Sequence, residues 1–289
     1  LLFISSVYII MDLQQPVNAS GTNGFKEINT LVAKFGFLIL TLILFVTFLR
    51  LGISLIARYF EPNRSPILIN GMIDSKNMVV IPQNPSSSGA VPVMRSKNDE
   101  DGMEFTWSVW IYIDDFNYKR DEYKHVFHKG NDNINLSESD PYYGTNHPNN
   151  APGLYITPHT NDLVVFMNSF EKIDEQVVIT GVPVKKWINV IIRLNKQNQL
   201  DVYINGTLTK RHILQGVAKQ NYGDVFVSMN RGFDGNTSEL RYFDTAIDLR
   251  KIKSIVENGP NLKMNKASNI ATSKPYYLST KWYFSQLSG

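Results

Sequence analysis

The chain of 289 residues contains no cysteine, so no disulfide can hold it together. A domain standing in an oxidising space would be without its usual staple, which leans towards a cytosol-facing position. Charge is sparse as well: 19% of residues are Asp, Glu, Lys or Arg, and the net charge of +3 is too small for wholesale nucleic-acid binding. Missing too are a glycine-rich phosphate loop, a nucleophile elbow and any cysteine pair, so the common signatures of phosphoryl transfer, serine hydrolysis and thiol chemistry are not present. The opening "LLFISSVYII" is apolar, yet it lacks the basic stretch and small-residue cleavage site of a signal peptide. Met11 therefore reads as the start of translation, and residues 1–30 as an N-terminal segment. With 43% hydrophobic residues the chain can bury a sizeable core, which excludes wholesale disorder.

What charge there is lies unevenly. From Leu249 onward seven Lys and Arg face the single acid Glu257, so the end of the chain is basic and the remainder mildly acidic. Such a tail would suit an acidic partner or an anionic membrane surface, or stand as a solvated face. A long apolar run is also present. Phe35 to Leu49 gives fifteen uncharged residues, extended by Leu51 to Ala57 beyond Arg50. A helix from Phe35 to Ala57 would be about 34 Å long, enough for a hydrocarbon core of about 30 Å. Residues 31–58 are thus expected to form a single transmembrane helix, with Lys34, Arg50 and Arg58 snorkelling to the headgroups. Arg50, Arg58 and Arg64 follow the span and Lys26 and Lys34 precede it, which places the C-terminal side in the cytosol. Five Asn-x-Ser/Thr sequons, at Asn18, Asn63, Asn135, Asn205 and Asn236, point the other way. In so Asn-rich a chain they carry little weight.

Residues 59–103 are rich in Pro, Ser, Asn and Gly and read as a linker with first strands at Ile67 to Ile69 and Met78 to Ile81. Residues 104–260 carry the punctuation of an antiparallel all-β domain. In "EFTWSVWIYID", Phe105, Trp107, Val109, Ile111 and Ile113 share a core face, and Thr106, Ser108, Trp110 and Tyr112 the other. Further strands are expected at "HVFHKG", "GLYITP", "DLVVFMN", "QVVITGV", "WINVIIRLN", "LDVYIN", "LTKRHI" and "DVFVSMN". Asn205-Gly206 is the preferred pair for a type I′ hairpin. A short helix follows, with Asp248 as N-cap, Leu249, Ile252, Ile255 and Val256 on one face, and Gly259-Pro260 as its stop.

The order "FTWSVWIYI", "GLYITPHTNDLVVFMN", "WINVIIRLNKQNQLDVYINGTLTKRHIL" and "FDGNTSELRYFDTAIDLRKIKSIVENG" resembles the concanavalin A-like lectin/glucanase superfamily, within it the laminin-G-like and pentraxin-like jelly rolls. The resemblance covers roughly residues 66 to 260. Trp187, Tyr203, Asn205 and Gly206 fill that family's strand-opening Trp, tyrosine strand and hairpin, and Asp234-Gly235, "ELRYF" and the final helix its closing elements. The fold it implies is an antiparallel jelly-roll β-sandwich. Coupled to an N-terminal span, the domain is similar to proteins of large double-stranded DNA viruses of eukaryotes. That resemblance implies a non-catalytic virion membrane or minor capsid protein linking the inner membrane to the capsid shell. Its partners would be the lipid bilayer and capsid or other shell proteins, with no nucleic acid.

Candidate chemistry is thin. Glucanases of this superfamily use paired carboxylates at E-x-D-x-x-E, and the nearest approach is Asp99, Asp101 and Glu104 in "DEDGME". Its first acid is Asp, and Glu100 and Gly102 do not make a core-facing strand, so it reads as a solvated turn. Alternation puts His125 and His128 on opposite strand faces, and together with His147, His159 and His212 they read as surface or edge residues with no metal site. The long loop of residues 130 to 153 is ligand-like: Asp132, Asn133, Glu138, Asp140 and Asn146 offer oxygens beside Tyr142 and Tyr143. Such a set would hold a glycan, with or without calcium, making a membrane-tethered lectin the alternative. No other cofactor is implied. Finally, residues 261–289 form a basic, aromatic tail in which Lys274, Tyr276, Tyr277, Trp282, Tyr283 and Phe284 are candidate partner contacts.

Overall fold

The computed structural model describes residues 23–59, 63–96, 98–99 and 102–265. The aromatic tail from Lys274 to Phe284, Asp101 and residues 1–22 lie outside the described residues.

The chain divides into two units at Pro62/Asn63. The first holds α1 (Asn23–Tyr59), which is predominantly apolar from Thr30 to Tyr59 and buried nowhere along that stretch. It is long and apolar enough to cross a bilayer, extending the expected span by about a residue at each end. Thr41 and Thr47, polar positions inside it, return their hydroxyls to the helix by donating to Phe37 O and Ile43 O at 2.8 and 2.9 Å.

The second unit is an antiparallel β-sandwich. One six-stranded sheet, sheet A, contains β1 (Met72–Asp74), β5 (Phe105–Asp115), β10 (Trp187–Asn195), β11 (Gln199–Ile204), β12 (Thr207–Ile213) and β14 (Asp234–Phe243), in the order β1-β14-β5-β10-β11-β12. The other, sheet B, contains β2 (Val79–Ile81), β6 (Lys124–Gly130), β7 (Gly153–Ile156), β8 (Leu163–Met167), β9 (Glu175–Ile179) and β13 (Asp224–Val227), in the order β2-β13-β6-β7-β8-β9. A two-residue pairing of β3 (Asn98–Asp99) with β4 (Gly102–Met103) precedes β5. The strands fall where the alternating runs place them, except that Ile67 to Ile69 makes only an isolated bridge from Ile67 to Arg241, because Leu68 N and Ile69 N both turn to Leu240 O, and the first strand comes at Met72–Asp74.

Between the sheets lies one core. Phe105, Trp107, Val109, Ile111 and Ile113 enter it from β5, and Trp107 stacks on Phe127 of the opposite sheet with ring centroids 5.3 Å apart. The other face of β5 is buried too: Thr106, Ser108 and Trp110 are covered, because α2 (Leu249–Asn258) lies across the outside of sheet A with Ile252 and Ile255 packed on Ile191, Tyr203 and Phe243. Asp248 caps α2 by accepting from Lys251 N at 2.8 Å, and Gly259, at φ 69°, ends it. The β11–β12 hairpin turns on Asn205 and Gly206 at φ 48° and 79°, the positive values a type I′ turn requires. Gly235 is fixed by a close approach: at φ +148° a Cβ there would lie 1.9 Å from Tyr112 O.

Candidate binding surface

Sheet B differs from the usual antiparallel sheet, which leaves one face to solvent. Every residue of β6, β7 and β8 is buried. The cover is the long loop between β6 and β7. Its Tyr142 lies edge-on to Phe166 at 6.0 Å, and beneath it Tyr155, Val164 and Phe166 form an outer apolar cluster that Tyr123 also joins.

An asparagine clasp holds the loop down. Asn146 donates through its side chain to Asn131 O and Asn149 O at 3.1 and 2.9 Å, while its backbone N–H donates to the Tyr155 hydroxyl at 3.1 Å. That hydroxyl donates in turn to Asn150 Oδ1 at 2.6 Å, and its burial pushes its pKa up. The Asn150 backbone N–H donates to Asn168 Oδ1 at 2.6 Å, and Asn168 returns its own amide to Pro148 O and Ile173 O. One loop and the β8–β9 connection are thus locked by amides that satisfy backbone groups which would otherwise be buried unpaired.

The histidines depart from expectation. His125 and His128 face each other, with Nε2 and Nδ1 2.6 Å apart, and both are buried. The cause is a register shift in the β6–β7 ladder between His125 and Phe127, which inserts one residue and brings positions three apart to the same side. The hydrogen bonds fix one set of tautomers. Met229 N–H donates to His125 Nδ1 at 3.0 Å, so His125 Nε2–H donates to His128 Nδ1, and His128 Nε2–H donates to Asn131 O at 2.8 Å. Burial holds both imidazoles neutral: it drives the His125 pKa well below the ordinary value and that of His128 down to about 4. His212, partly exposed, pairs with buried Glu175 at 3.1 Å, and Glu175 also accepts from Gln215 N, tying an edge of sheet B to an edge of sheet A. His159 is exposed. Among the described residues no group of three His, Asp or Glu side chains is placed to hold a metal ion.

The loop residues singled out in the sequence separate into two groups. Tyr142 is turned inward: its hydroxyl donates to Asp174 Oδ2 at 2.9 Å and its ring stacks on His147 at 4.1 Å. Asn146 is enclosed in the clasp. Asp140 accepts from Tyr142 N at 2.8 Å, and that bond with the Asn135 side chain holds its carboxyl below the usual range. In contrast, Asp132, Asn133 and Glu138 stand exposed along the rim, with Tyr143 partly exposed. Of the glucanase-like acids, Glu104 accepts from Ala246 N at 3.3 Å, at the approach to α2, and so belongs to the outside of sheet A.

The residues that sequence reasoning missed are the clasp amides Asn150 and Asn168 and the two buried lysines of β6. Lys124 donates to Thr157 O and Pro158 O, both at 3.2 Å, and Lys129 to Gly223 O at 2.6 Å. Burial lowers each pKa to about 8. In sequence they look like the ordinary solvent-facing residues of an alternating strand.

Residues 85–253 match a laminin G family profile described as the concanavalin A-like lectin/glucanases superfamily. No curated protein sequence matches. Among solved structures, the botulinum neurotoxin serotype G binding domain is similar at 11% identity and a TM-score of 0.41, over 54% of this chain and 36% of that one. The botulinum neurotoxin serotype D ligand binding domain in complex with N-acetylneuraminic acid is similar at 12% identity and a TM-score of 0.45, over 64% of this chain and 41% of that one. The matched part thus spans less than half the length of either domain. The family match covers more than half of the chain, and with its two packed antiparallel sheets the protein belongs to the concanavalin A-like lectin/glucanases superfamily.

Proposed function

We propose that the protein is a membrane-anchored, non-catalytic binding module whose contacts are made to other proteins. Its role would be that of a virion membrane or minor capsid component of a large DNA virus, joining the inner membrane to the capsid shell. The observation that carries the reading is the clasped loop. Where a ligand-gathering loop would leave its donors open, the side-chain amides of Asn146, Asn150 and Asn168 donate to backbone carbonyls and the Tyr142 hydroxyl donates to Asp174, so the outer face of sheet B is sealed over β6, β7 and β8. Recognition then falls to the outer surface of a rigid sandwich. Helix α1 supports the anchor, because from Thr30 to Tyr59 its side chains are predominantly apolar and none is buried. The test is cross-linking mass spectrometry on native membranes or particles. Abundant cross-links from residues 63–289 to a repeated shell protein are the expected result; cross-links confined to this chain would overturn it.

The exposed rim of Asp132, Asn133, Glu138 and Tyr143 favours a second reading, a membrane-tethered lectin with calcium as an added ligand. Full-length protein in detergent on a glycan array, with and without chelator, separates the two. Chelator-sensitive binding lost in an Asp132→Ala, Glu138→Ala chain would establish the lectin.

A further inference from the structure

The strand registers place several features at one end of the sandwich. The chain enters the domain there: Arg64 pairs with Asp244 at 3.1 Å and Tyr242 N donates to Pro66 O, beside the last residue of β14. From that point the ladder runs level across sheet A, Phe243 opposite Thr106, Thr106 opposite Arg193, Arg193 opposite Asp201, and Asp201 opposite Arg211. The next residues of β12 lead to the segment at Val217, and Glu175 links His212 across to the start of β9. The β8–β9 turn and the connection from β12 to β13 therefore sit at the same end as Asn63.

Those two segments form a built tip. Phe170 N donates to Val217 O at 2.9 Å and Lys219 N to Asn168 O at 2.8 Å, with Ser169 bridged to Ala218. They approach so closely that a Cβ on Gly216 would lie 2.6 Å from Glu171 Cγ. On this rigid base Phe170 is 69% exposed, Ile173 48% and Val217 40%, and Tyr222, just before β13, is 77% exposed. Lys219 Nζ stands 5.4 Å from the centre of the Phe170 ring, and Lys172 and Lys196 are exposed nearby, against two acids of the β8–β9 turn, exposed Glu171 and half-buried Asp174, which accepts from Tyr142.

Aromatic side chains flanked by lysines are what the headgroup layer of a bilayer accepts, the ring at the boundary and the ammonium reaching phosphate. The covalent tether supplies the proximity. Only four residue steps separate Tyr59 from Asn63, and at about 3.5 Å per residue these reach about 14 Å, whatever angle helix and domain adopt. β14 and β12 are four strand spacings apart, about 19 Å. A domain held by Asn63 can therefore bring the Phe170 tip down to the same surface.

We propose that this end of the domain rests on the lipid headgroup layer of the bilayer that α1 crosses, with Phe170 and Tyr222 seated in the interface and Lys172 and Lys219 turned to lipid phosphates. The inference rests on the membrane-anchor reading. Because the chain has no cysteine, a polarity-sensitive dye can be placed at single positions by Phe170→Cys, Tyr222→Cys and, at the opposite end of the sandwich, Leu208→Cys. Each full-length chain is reconstituted in phosphatidylcholine vesicles containing phosphatidylserine, and dye quenching by brominated lipid is read. All three residues are exposed, and an unchanged unfolding midpoint checks each fold. The expected result is quenching at 170 and 222 several-fold above that at 208. Equal quenching at all three positions, in a chain that floats with the vesicles and resists carbonate extraction, overturns the inference and leaves the anchor standing. A chain extracted by carbonate overturns both. A dye at 170 that is unquenched by lipid yet shielded from water in native particles overturns the inference in favour of a protein contact.

Discussion

His125 and His128 accept burial by giving up protonation. Each imidazole is one link in a chain of donors running from Met229 N–H to Asn131 O, and a second proton on either ring would leave two donors facing each other. The linkage follows in sign: in the unfolded chain both rings take up protons near pH 6.5, whereas in the fold His128 does so only near 4 and His125 well below its ordinary value. Their contribution to stability is therefore full above pH 6.5 and is lost as pH falls towards 4, by about 3 kcal/mol from His128 alone. Denaturant unfolding at pH 7 and at pH 5 should show the drop, and a His128→Gln chain should flatten it; an unchanged pH dependence in that chain would refute the assignment. Little of this was legible in the sequence. Strict alternation sends two residues three apart to opposite faces, and nothing in "HVFH" announces the extra residue that the β6–β7 ladder absorbs.

Elements whose burial is decided by their own periodicity were legible. The odd positions of β5 form the core, the Asn205-Gly206 turn closes its hairpin, and α2 starts at Asp248 and stops at Gly259. A cap of this kind contributes about 1 kcal/mol, so Asp248→Ala should lower stability by that amount, while Asp248→Asn should lose far less. Equal losses in the two would show that the carboxylate acts by charge and not by accepting from Lys251 N. The Gly235→Ala chain should fare worse, losing several kcal/mol in thermal unfolding, because the backbone of β5 would have to move from the new methyl. The long loop was not legible. Asn146 and Tyr142 read as ligand groups because their chemistry is the same whether they face a sugar or a carbonyl and a carboxylate of their own chain, and only the fold assigns the partner.

At the scale of the whole molecule, the two units differ in what sustains them. Among the described residues the sandwich core is drawn from those between Leu68 and Tyr242, so a chain beginning at Asn63 should unfold with the same midpoint as the full-length protein in detergent. A midpoint lowered by more than a few degrees would show that α1 supports the fold. The way in which the chain enters that core has a mechanical consequence. From Pro66 to Asp74 it runs antiparallel to β14, bonded through Tyr242 N to Pro66 O, Leu68 N to Leu240 O and Glu239 N to Gly71 O, and paired from Met72 to Asp74. A pull on Asn63 directed along these strands loads the bonds of this ladder side by side in shear. They must break together and not one after another, so the first strand of the sandwich would hold against such a pull as a clamp.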